Sequence, residues 1–234
     1  MGNAELTTVR GLRYVVRGAS LTGWFYVQGN QRLETLDGVE GIVAVGVDST
    51  GISIYIEDNP RLASIAGLSG VAGEVPGAIV ISNNPALTTL DGLDHISRIT
   101  GFRPSSGYSL YIFDNAALRS VAALDGVEGD VPGALFLSGN PALESTQGLL
   151  GVRSYGTVAN FQGFAVGITG NTKVCATEGE VRALRGICDA SGETGLACAP
   201  ERDDDWWGPQ CEGACGGARG GCRLARCSLL RVAH

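Results

Sequence analysis

The chain has 234 residues, 44% of them hydrophobic, with a formal net charge of −7 and a sequence pI near 4.8. This length and hydrophobic content allow one or two domains with a buried core. The acidic charge argues against a nucleic-acid partner and against contact with an anionic membrane, because neither polyanion is attracted to an acidic surface.

No stretch of the chain approaches the roughly 18 to 20 apolar residues that a membrane span needs. The first residues, Met1–Glu5, lack the basic and then apolar pattern of a signal peptide. We therefore expect either a cytosolic protein or part of a longer secreted chain, with any membrane anchor outside this sequence.

Asparagines recur along most of the chain at an average spacing of about 28 residues. Each is followed three residues later by an apolar residue, and most are followed six residues later by another, with Thr146 as an exception. The asparagines are Asn3, Asn30, Asn59, Asn84, Asn115, Asn140 and Asn171. A fixed period of this length predicts a solenoid of seven coils, each marked by one asparagine.

A β-prone run precedes the asparagine of each coil after the first, and its central triplet has aliphatic or aromatic outer members. The triplets begin at Phe25, Ile54, Ile79, Leu110, Leu135 and Val166. Side chains alternate along a strand, so these outer members point inward. One strand per coil predicts a mainly β, right-handed parallel solenoid with coils of about 28 residues, followed by a small irregular C-terminal segment.

The asparagines from Asn30 to Asn171 fit a buried ladder whose amides satisfy backbone groups where the chain turns a corner. Replacing one is expected to cost a few kcal/mol, about the value of a lost partner in a buried network. The segment Gly70–Gly77 returns as Gly126–Gly133, so coils alternate in pairs. Short coils close with a Val-Pro-Gly turn, and long coils carry surface insertions such as Arg103–Gly107 and Ser154–Gly163.

The run Ile81–Leu93, echoed by Leu137–Leu143, resembles the receptor L-domain, the leucine-rich-repeat-like β-helix of epidermal-growth-factor and insulin receptor ectodomains. That family tends to end its solenoid with Asn-x-x-Leu-Cys, and Asn171–Cys175 stands in that place. The resemblance covers residues 1–175. It implies an extracellular or cell-surface binding domain.

All seven cysteines lie at or beyond the end of this predicted domain: Cys175, Cys188, Cys198, Cys211, Cys215, Cys222 and Cys227. The run Trp206–Cys215 is similar to the Gly-Pro-x-Cys junction of EGF-like or furin-like modules. The resemblance implies that residues 176–234 form a cap and a partial cysteine-rich segment, with Cys175 and Cys188 as a candidate cap disulfide. Zinc binding by the later cysteines is the alternative. The glycine-rich tail favours disulfides, and the odd count indicates a truncated module or an external partner.

One residue in each strand, four positions before the asparagine, is predicted to point outward. In chain order these residues are Tyr26, Tyr55, Val80, Tyr111, Phe136 and Gly167, and Glu57 and Phe113 flank them. An exposed row of aromatic side chains is typical of interface anchors. Packing across coils, or cover from the long-coil loops, explains the same pattern without a ligand. Both interpretations remain open at this stage.

These patterns predict a non-enzymatic binding module that recognises a protein or glycan through the outward strand face or the loops, without a cofactor or metal. Neither His95 nor His234 stands in a recognisable catalytic motif. A carbohydrate-active β-helix enzyme is the second hypothesis, and it requires clustered carboxylates, for which Glu57, Asp58 and Asp114 are the candidates. A purely structural repeat protein is the third.

Overall fold

The computed structural model describes residues 2–156 and 165–174, together with residues 180, 183, 184, 186 and 187. All seven cysteines, the Cys175–Cys188 pairing and part of the Ser154–Gly163 insertion lie outside the described residues. So does the predicted C-terminal segment 176–234, apart from the five residues just named. The account below therefore concerns the solenoid.

Six parallel strands, one per coil, form the main wall of the solenoid, and each pairs with the strand of the next coil. They are β2 (Phe25–Gln28), β4 (Ile52–Glu57), β6 (Ala78–Ser82), β8 (Tyr108–Phe113), β10 (Ala134–Ser138) and β12 (Val166–Thr169). Strands of consecutive coils that lie side by side and run parallel define a β-solenoid. The predicted mainly β, parallel solenoid is thus confirmed.

Shorter strands form a second wall, in three parallel pairs. They are β1 (Ala19–Ser20) with β3 (Ile42–Ala44), β5 (Gly73–Val75) with β7 (Ile96–Ile99), and β9 (Gly129–Val131) with β11 (Val152–Tyr155). Single backbone hydrogen bonds, such as Ala72 N–H to the Val43 carbonyl at 3.2 Å, link one pair to the next. The Val-Pro-Gly turns lie at the corner between β5 and β6 and between β9 and β10.

The third side of each coil consists of isolated β-bridges and short 3₁₀ helices. The bridges join Thr35 to Ser64 and Thr89 to Ser120. The helices span Arg10–Tyr14, Ala66–Gly70, Ala122–Leu124 and Gln147–Leu149. The six strands of the main wall delimit about five complete turns, so the described part of the chain has fewer turns than the seven asparagines predicted. The coil of Asn3 contributes no strand to the main wall.

Each described turn buries the same repeat positions. The leucines three residues after the asparagine, at positions 33, 62, 87, 118 and 143, are all 0% exposed. These residues and the inward members of the strands form one continuous hydrophobic cluster. Stacking the coils buries a face that no single coil could bury alone, which is the source of solenoid stability.

The predicted asparagines line one corner of this core, and from Asn30 to Asn171 all are at most 7% exposed. The Oδ1 of each asparagine accepts hydrogen bonds from the preceding asparagine, as in Asn59 N–H to Asn84 Oδ1 at 3.2 Å and Asn59 Nδ2 to Asn84 Oδ1 at 3.1 Å. The Nδ2 donates in turn to backbone carbonyls, as in Asn84 Nδ2 to Ile56 O at 3.0 Å. The ladder therefore links neighbouring coils by hydrogen bonds at a corner where the backbone no longer pairs within the sheet.

The residue before each ladder asparagine has a left-handed backbone conformation. The φ angles are 70° at Gly29, 58° at Asp58, 55° at Asn83, 52° at Asp114, 69° at Gly139 and 64° at Gly170. Glycine, asparagine and aspartate are the residues that adopt this conformation most readily. Asp58 and Asp114 thus occupy a position whose residue type the corner dictates.

Candidate functional site

The predicted outward column exists, and its members lie in register across the six-stranded sheet. Tyr26 pairs with Tyr55, Tyr55 with Val80, Val80 with Tyr111, and Tyr111 with Phe136. The rings of Tyr26 and Tyr55 stack with centroids 5.2 Å apart, and those of Tyr111 and Phe136 stack at the same distance. The column is therefore two stacked pairs of rings, separated by an aliphatic side chain on β6.

Exposure varies strongly along this column. Tyr26 is 41% exposed, whereas Val80 is 5% and Phe136 8% exposed; Tyr55, Tyr111 and Phe113 are half-buried. The expectation of an exposed aromatic row is therefore met only in part. Neighbouring rings cover other members of the column, because the centroid of Trp24 lies 5.9 Å from that of Tyr55 and the centroid of Tyr108 lies 5.6 Å from that of Phe136. Packing across coils therefore accounts for the buried part of the column, and the role of the exposed part as a ligand anchor stays a prediction.

The long-coil insertion Arg103–Gly107 lies over the middle of the column. It is a tight turn, held by Arg103 N–H to Tyr108 O at 2.8 Å and Gly107 N–H to Arg103 O at 2.7 Å. It packs against the turn that precedes β4, where a Cβ on Gly51 would lie 2.4 Å from the Phe102 carbonyl oxygen. Gly51 also has a φ of 83°. Glycine is therefore required there both because a Cβ would clash and because the backbone is left-handed.

A cleft lies between this turn and the sheet. Its volume is about 170 Å³, and its walls are Tyr55, Glu57, Val80, Arg103, Ser106, Tyr108 and Tyr111. The cleft follows β6 because the outward residues of that strand, Ala78, Val80 and Ser82, are small. The flanking strands carry large outward residues instead. We call this feature the β6 cleft.

Glu57 forms the polar floor of the β6 cleft. Its Oε1 accepts a hydrogen bond from Ser82 Oγ at 2.9 Å, and its Oε2 accepts one from Gln28 Nε2 at 2.8 Å and one from the Tyr55 hydroxyl. These bonds fix the carboxylate and the Tyr55 ring in place. Two groups on the roof, Arg103 Nε and Ser106 Oγ, are buried and have no hydrogen-bond partner among the described residues.

The tyrosines of the cleft keep their protons well above neutral pH. Burial raises the pKa of Tyr55, and the hydrogen bond to Glu57 raises it further. Burial raises the pKa of Tyr108 to about 12, and burial together with the charges of Asp114 and Glu57 raises the pKa of Tyr111. These phenols are neutral stacking and hydrogen-bonding groups, and they are not activated nucleophiles.

The charge of Arg103 acts on two nearby groups, the Asp48 carboxyl and the Tyr55 hydroxyl. Burial alone would raise the pKa of the Asp48 carboxyl, but hydrogen bonds from Ile52 and Thr50, with the Arg103 guanidinium nearby, lower it overall. The same guanidinium acts to lower the pKa of Tyr55. The cleft therefore combines one carboxylate and one guanidinium, whose formal charges cancel.

The three carboxylates proposed for an enzyme do not all reach this cleft. Glu57 lines it, whereas Asp58 and Asp114 occupy the left-handed corners before the ladder. His95 is exposed on the second wall, in the turn before β7. Among the described residues, no group of three or more His, Cys, Asp or Glu side chains could hold a metal ion. Nor does any helix within them have the length and hydropathy needed to cross a bilayer.

Sequence reasoning missed four residues of the site: Trp24, Arg103, Ser106 and Tyr108. The insertion Arg103–Gly107 was identified as a surface loop, but its spacing does not reveal that it folds back over β6. Tyr108 immediately follows Gly107 and precedes the predicted strand centre, so its aromatic character was the one available signal.

A scan of protein-family models matches nothing in this chain, and searches of the curated proteins and of the solved structures find no similar protein. The resemblance to the receptor L-domain therefore rests on the residues of this sequence and on its solenoid fold.

Proposed function

We propose that this chain is a non-enzymatic, receptor L-domain-like binding module that acts outside the cell and recognises a protein or glycan. It does so with the outward face of the six-stranded sheet around the β6 cleft. The observation that carries this proposal is the cleft itself, which is lined by three tyrosines, a fixed carboxylate and an arginine. Convergent polar groups between aromatic walls are the usual composition of a ligand site.

Binding is favoured over catalysis by the chemistry of the cleft. Glycoside hydrolysis requires a pair of carboxyl groups flanking the scissile bond, and Glu57 is the one carboxylate among the described residues that line the cleft. A purely structural repeat would need no cleft beside the outward residues of β6.

The test compares wild type with the double variant Tyr55→Ser, Tyr111→Ser on a glycan array and against a library of displayed secreted proteins. We expect a ligand of the wild type to lose at least about 10-fold in affinity on the double variant, equivalent to about 1.4 kcal/mol. Tyr14→Ser is the matched control, because Tyr14 is 72% exposed and lies away from this face.

If a ligand binds the wild type, the double variant and Tyr14→Ser equally, it binds elsewhere, and the outward face of the six-stranded sheet is not the binding surface. Circular dichroism of the double variant checks that the solenoid has folded. Cleavage of a bound glycan during incubation would favour the enzyme hypothesis over a binding module.

A further inference from the structure

The β6 cleft interrupts a stack of rings by one position. Adjacent strands lie about 4.8 Å apart, so Tyr55 and Tyr111, two strands apart, are separated by about 9.6 Å at the backbone. The stacked pairs on either side show that rings on neighbouring strands fill this spacing, since both have centroids 5.2 Å apart. At Val80 the intervening ring is missing, and the cleft occupies its place.

The size of the cleft sets an upper limit on what it can hold. Its volume of about 170 Å³ corresponds to roughly five or six water molecules at about 30 Å³ each. This is room for one six-membered ring with its substituents. The cleft is therefore suited to a single ring inserted between Tyr55 and Tyr111.

The rim of the cleft decides which ring suits it. Residues with polar side chains line the gap from the floor and the roof: Glu57, Arg103 and Ser106. Glu57 Oε1 accepts one hydrogen bond from Ser82, and a carboxylate oxygen can accept two. The roof contributes Arg103 Nε and Ser106 Oγ, which are buried without a hydrogen-bond partner in the part of the chain that the structure describes, and leaving such groups unsatisfied is costly.

On these grounds, and resting on the proposed function, we propose that the β6 cleft binds one neutral pyranose ring of a glycan. A pyranose has C–H groups on its faces, which pack on Tyr55 and Tyr111, and hydroxyls around its edge, which can both donate and accept. An aromatic side chain has the same flat shape, but it offers at most one polar atom to three polar groups. The opposite charges of Glu57 and Arg103 match an uncharged ligand.

Ligand entry also explains the unpaired groups on the roof. Both atoms are closed to solvent, so the turn that carries them, which is held by its own backbone hydrogen bonds, has to shift as a unit when a ring enters. Ring hydroxyls would then supply the partners that Arg103 Nε and Ser106 Oγ lack.

The test uses methyl glycosides of glucose, galactose, mannose and N-acetylglucosamine as probes, with saturation-transfer NMR as the readout. N-acetyl-tyrosinamide represents an aromatic side chain of a protein partner. For the wild type we expect one or more glycosides to bind with a Kd on the order of 1 mM, a usual strength for a ligand making few contacts, and to receive saturation on ring protons.

Two variants remove the site in different ways. Val80→Phe completes the ring stack from within and should abolish glycoside binding. Arg103→Ala removes the roof donor and should weaken binding at least about 10-fold, or about 1.4 kcal/mol. Val43→Phe is the matched control, since Val43 is 41% exposed on β3 of the second wall, and it should bind as wild type.

Each other outcome overturns the assignment in a distinct way. Binding of N-acetyl-tyrosinamide without any glycoside would identify the cleft as a pocket for a protein side chain; the proposed binding function would survive and the pyranose assignment would not. Glycoside binding that persists in Val80→Phe would place the sugar elsewhere. If no probe binds, the pyranose assignment is wrong, and the array experiment with the Tyr55 and Tyr111 variant decides the proposed function separately.

Discussion

Replacing Asn84 by alanine tests how the asparagine ladder holds the coils together. The Asn84 side chain accepts from Asn59 N–H at 3.2 Å and from Asn59 Nδ2 at 3.1 Å. It donates to Ile56 O at 3.0 Å, to Ser82 O at 2.9 Å and, more weakly, to Asn115 Oδ1 at 3.3 Å. Asn84 is 0% exposed, so water cannot replace these partners without opening the corner.

The expected loss follows from these bonds. Each good hydrogen bond contributes about 1 kcal/mol net, and an orphaned buried group costs about 1 to 3 kcal/mol. The four shorter bonds give a loss in unfolding free energy of about 3 to 5 kcal/mol. For a protein of this size the loss corresponds to a drop in Tm on the order of 10 °C.

Denaturant unfolding followed by circular dichroism measures this loss as a shift in midpoint at constant m-value. Asn3→Ala is the matched control, because Asn3 is exposed and its side chain accepts one bond, from Glu5 N–H at 3.2 Å. It should cost less than about 0.5 kcal/mol. If Asn84→Ala costs less than about 1 kcal/mol, or no more than Asn3→Ala, the ladder does not stabilise the solenoid as we argue.

Further predictions concern the coil contacts and the buried tyrosines. A Cβ on Gly67 would lie 1.9 Å from the Leu36 carbonyl oxygen, whereas a Cβ on Gly11, at the equivalent repeat position, would have nothing within 4 Å. Gly67→Ala should therefore lower the unfolding free energy by about 1 to 3 kcal/mol. An equal loss in Gly11→Ala would refute the close contact between coils at Gly67. Thr146 is 1% exposed and its hydroxyl has no hydrogen-bond partner among the described residues. Thr146→Val should therefore raise the unfolding free energy by about 1 kcal/mol, measured as a higher denaturation midpoint. A lower midpoint would show that the hydroxyl is satisfied. Four tyrosines have pKa values raised above the ordinary value of about 10, chiefly by burial. They are Tyr55, Tyr108, Tyr111 and Tyr155. Because the pKa values of these tyrosines are higher in the folded than in the unfolded protein, their protonated forms contribute to the unfolding free energy. This contribution is complete below about pH 10 and is lost as the pH rises through about 12 and beyond. Phenolate absorbance of the folded protein showing all tyrosines ionising together near pH 10 would contradict this prediction.

Much of the solenoid could be predicted from the sequence because its determinants are local and repeated. The spacing of Asn59, Asn84 and Asn115 places each at the same corner, and the inward residues of each strand follow from the alternation of side chains. The left-handed corners also have a sequence signal, since glycine, asparagine or aspartate precedes every ladder asparagine from Asn30 onward.

The candidate site was only partly predictable. The column of Tyr26, Tyr55, Tyr111 and Phe136 follows from the repeat, and Glu57 was placed beside it by the same alternation. Exposure within the column does not follow, because it depends on which other side chains lie above each position. Phe136, at 8% exposure, looks identical to Tyr26 in the repeat pattern but is covered by Tyr108 and its neighbours.

The sequence by itself thus determined the period, the inward face, the asparagine corner and the register of the outward column, all of which depend on residues a fixed distance apart along the chain. Only the tertiary structure decided that the column is interrupted by a cleft. The turn Arg103–Gly107 leaves one coil and folds back over the strand of another, toward Gly51. That contact joins residues with no repeat spacing between them, and it creates the β6 cleft.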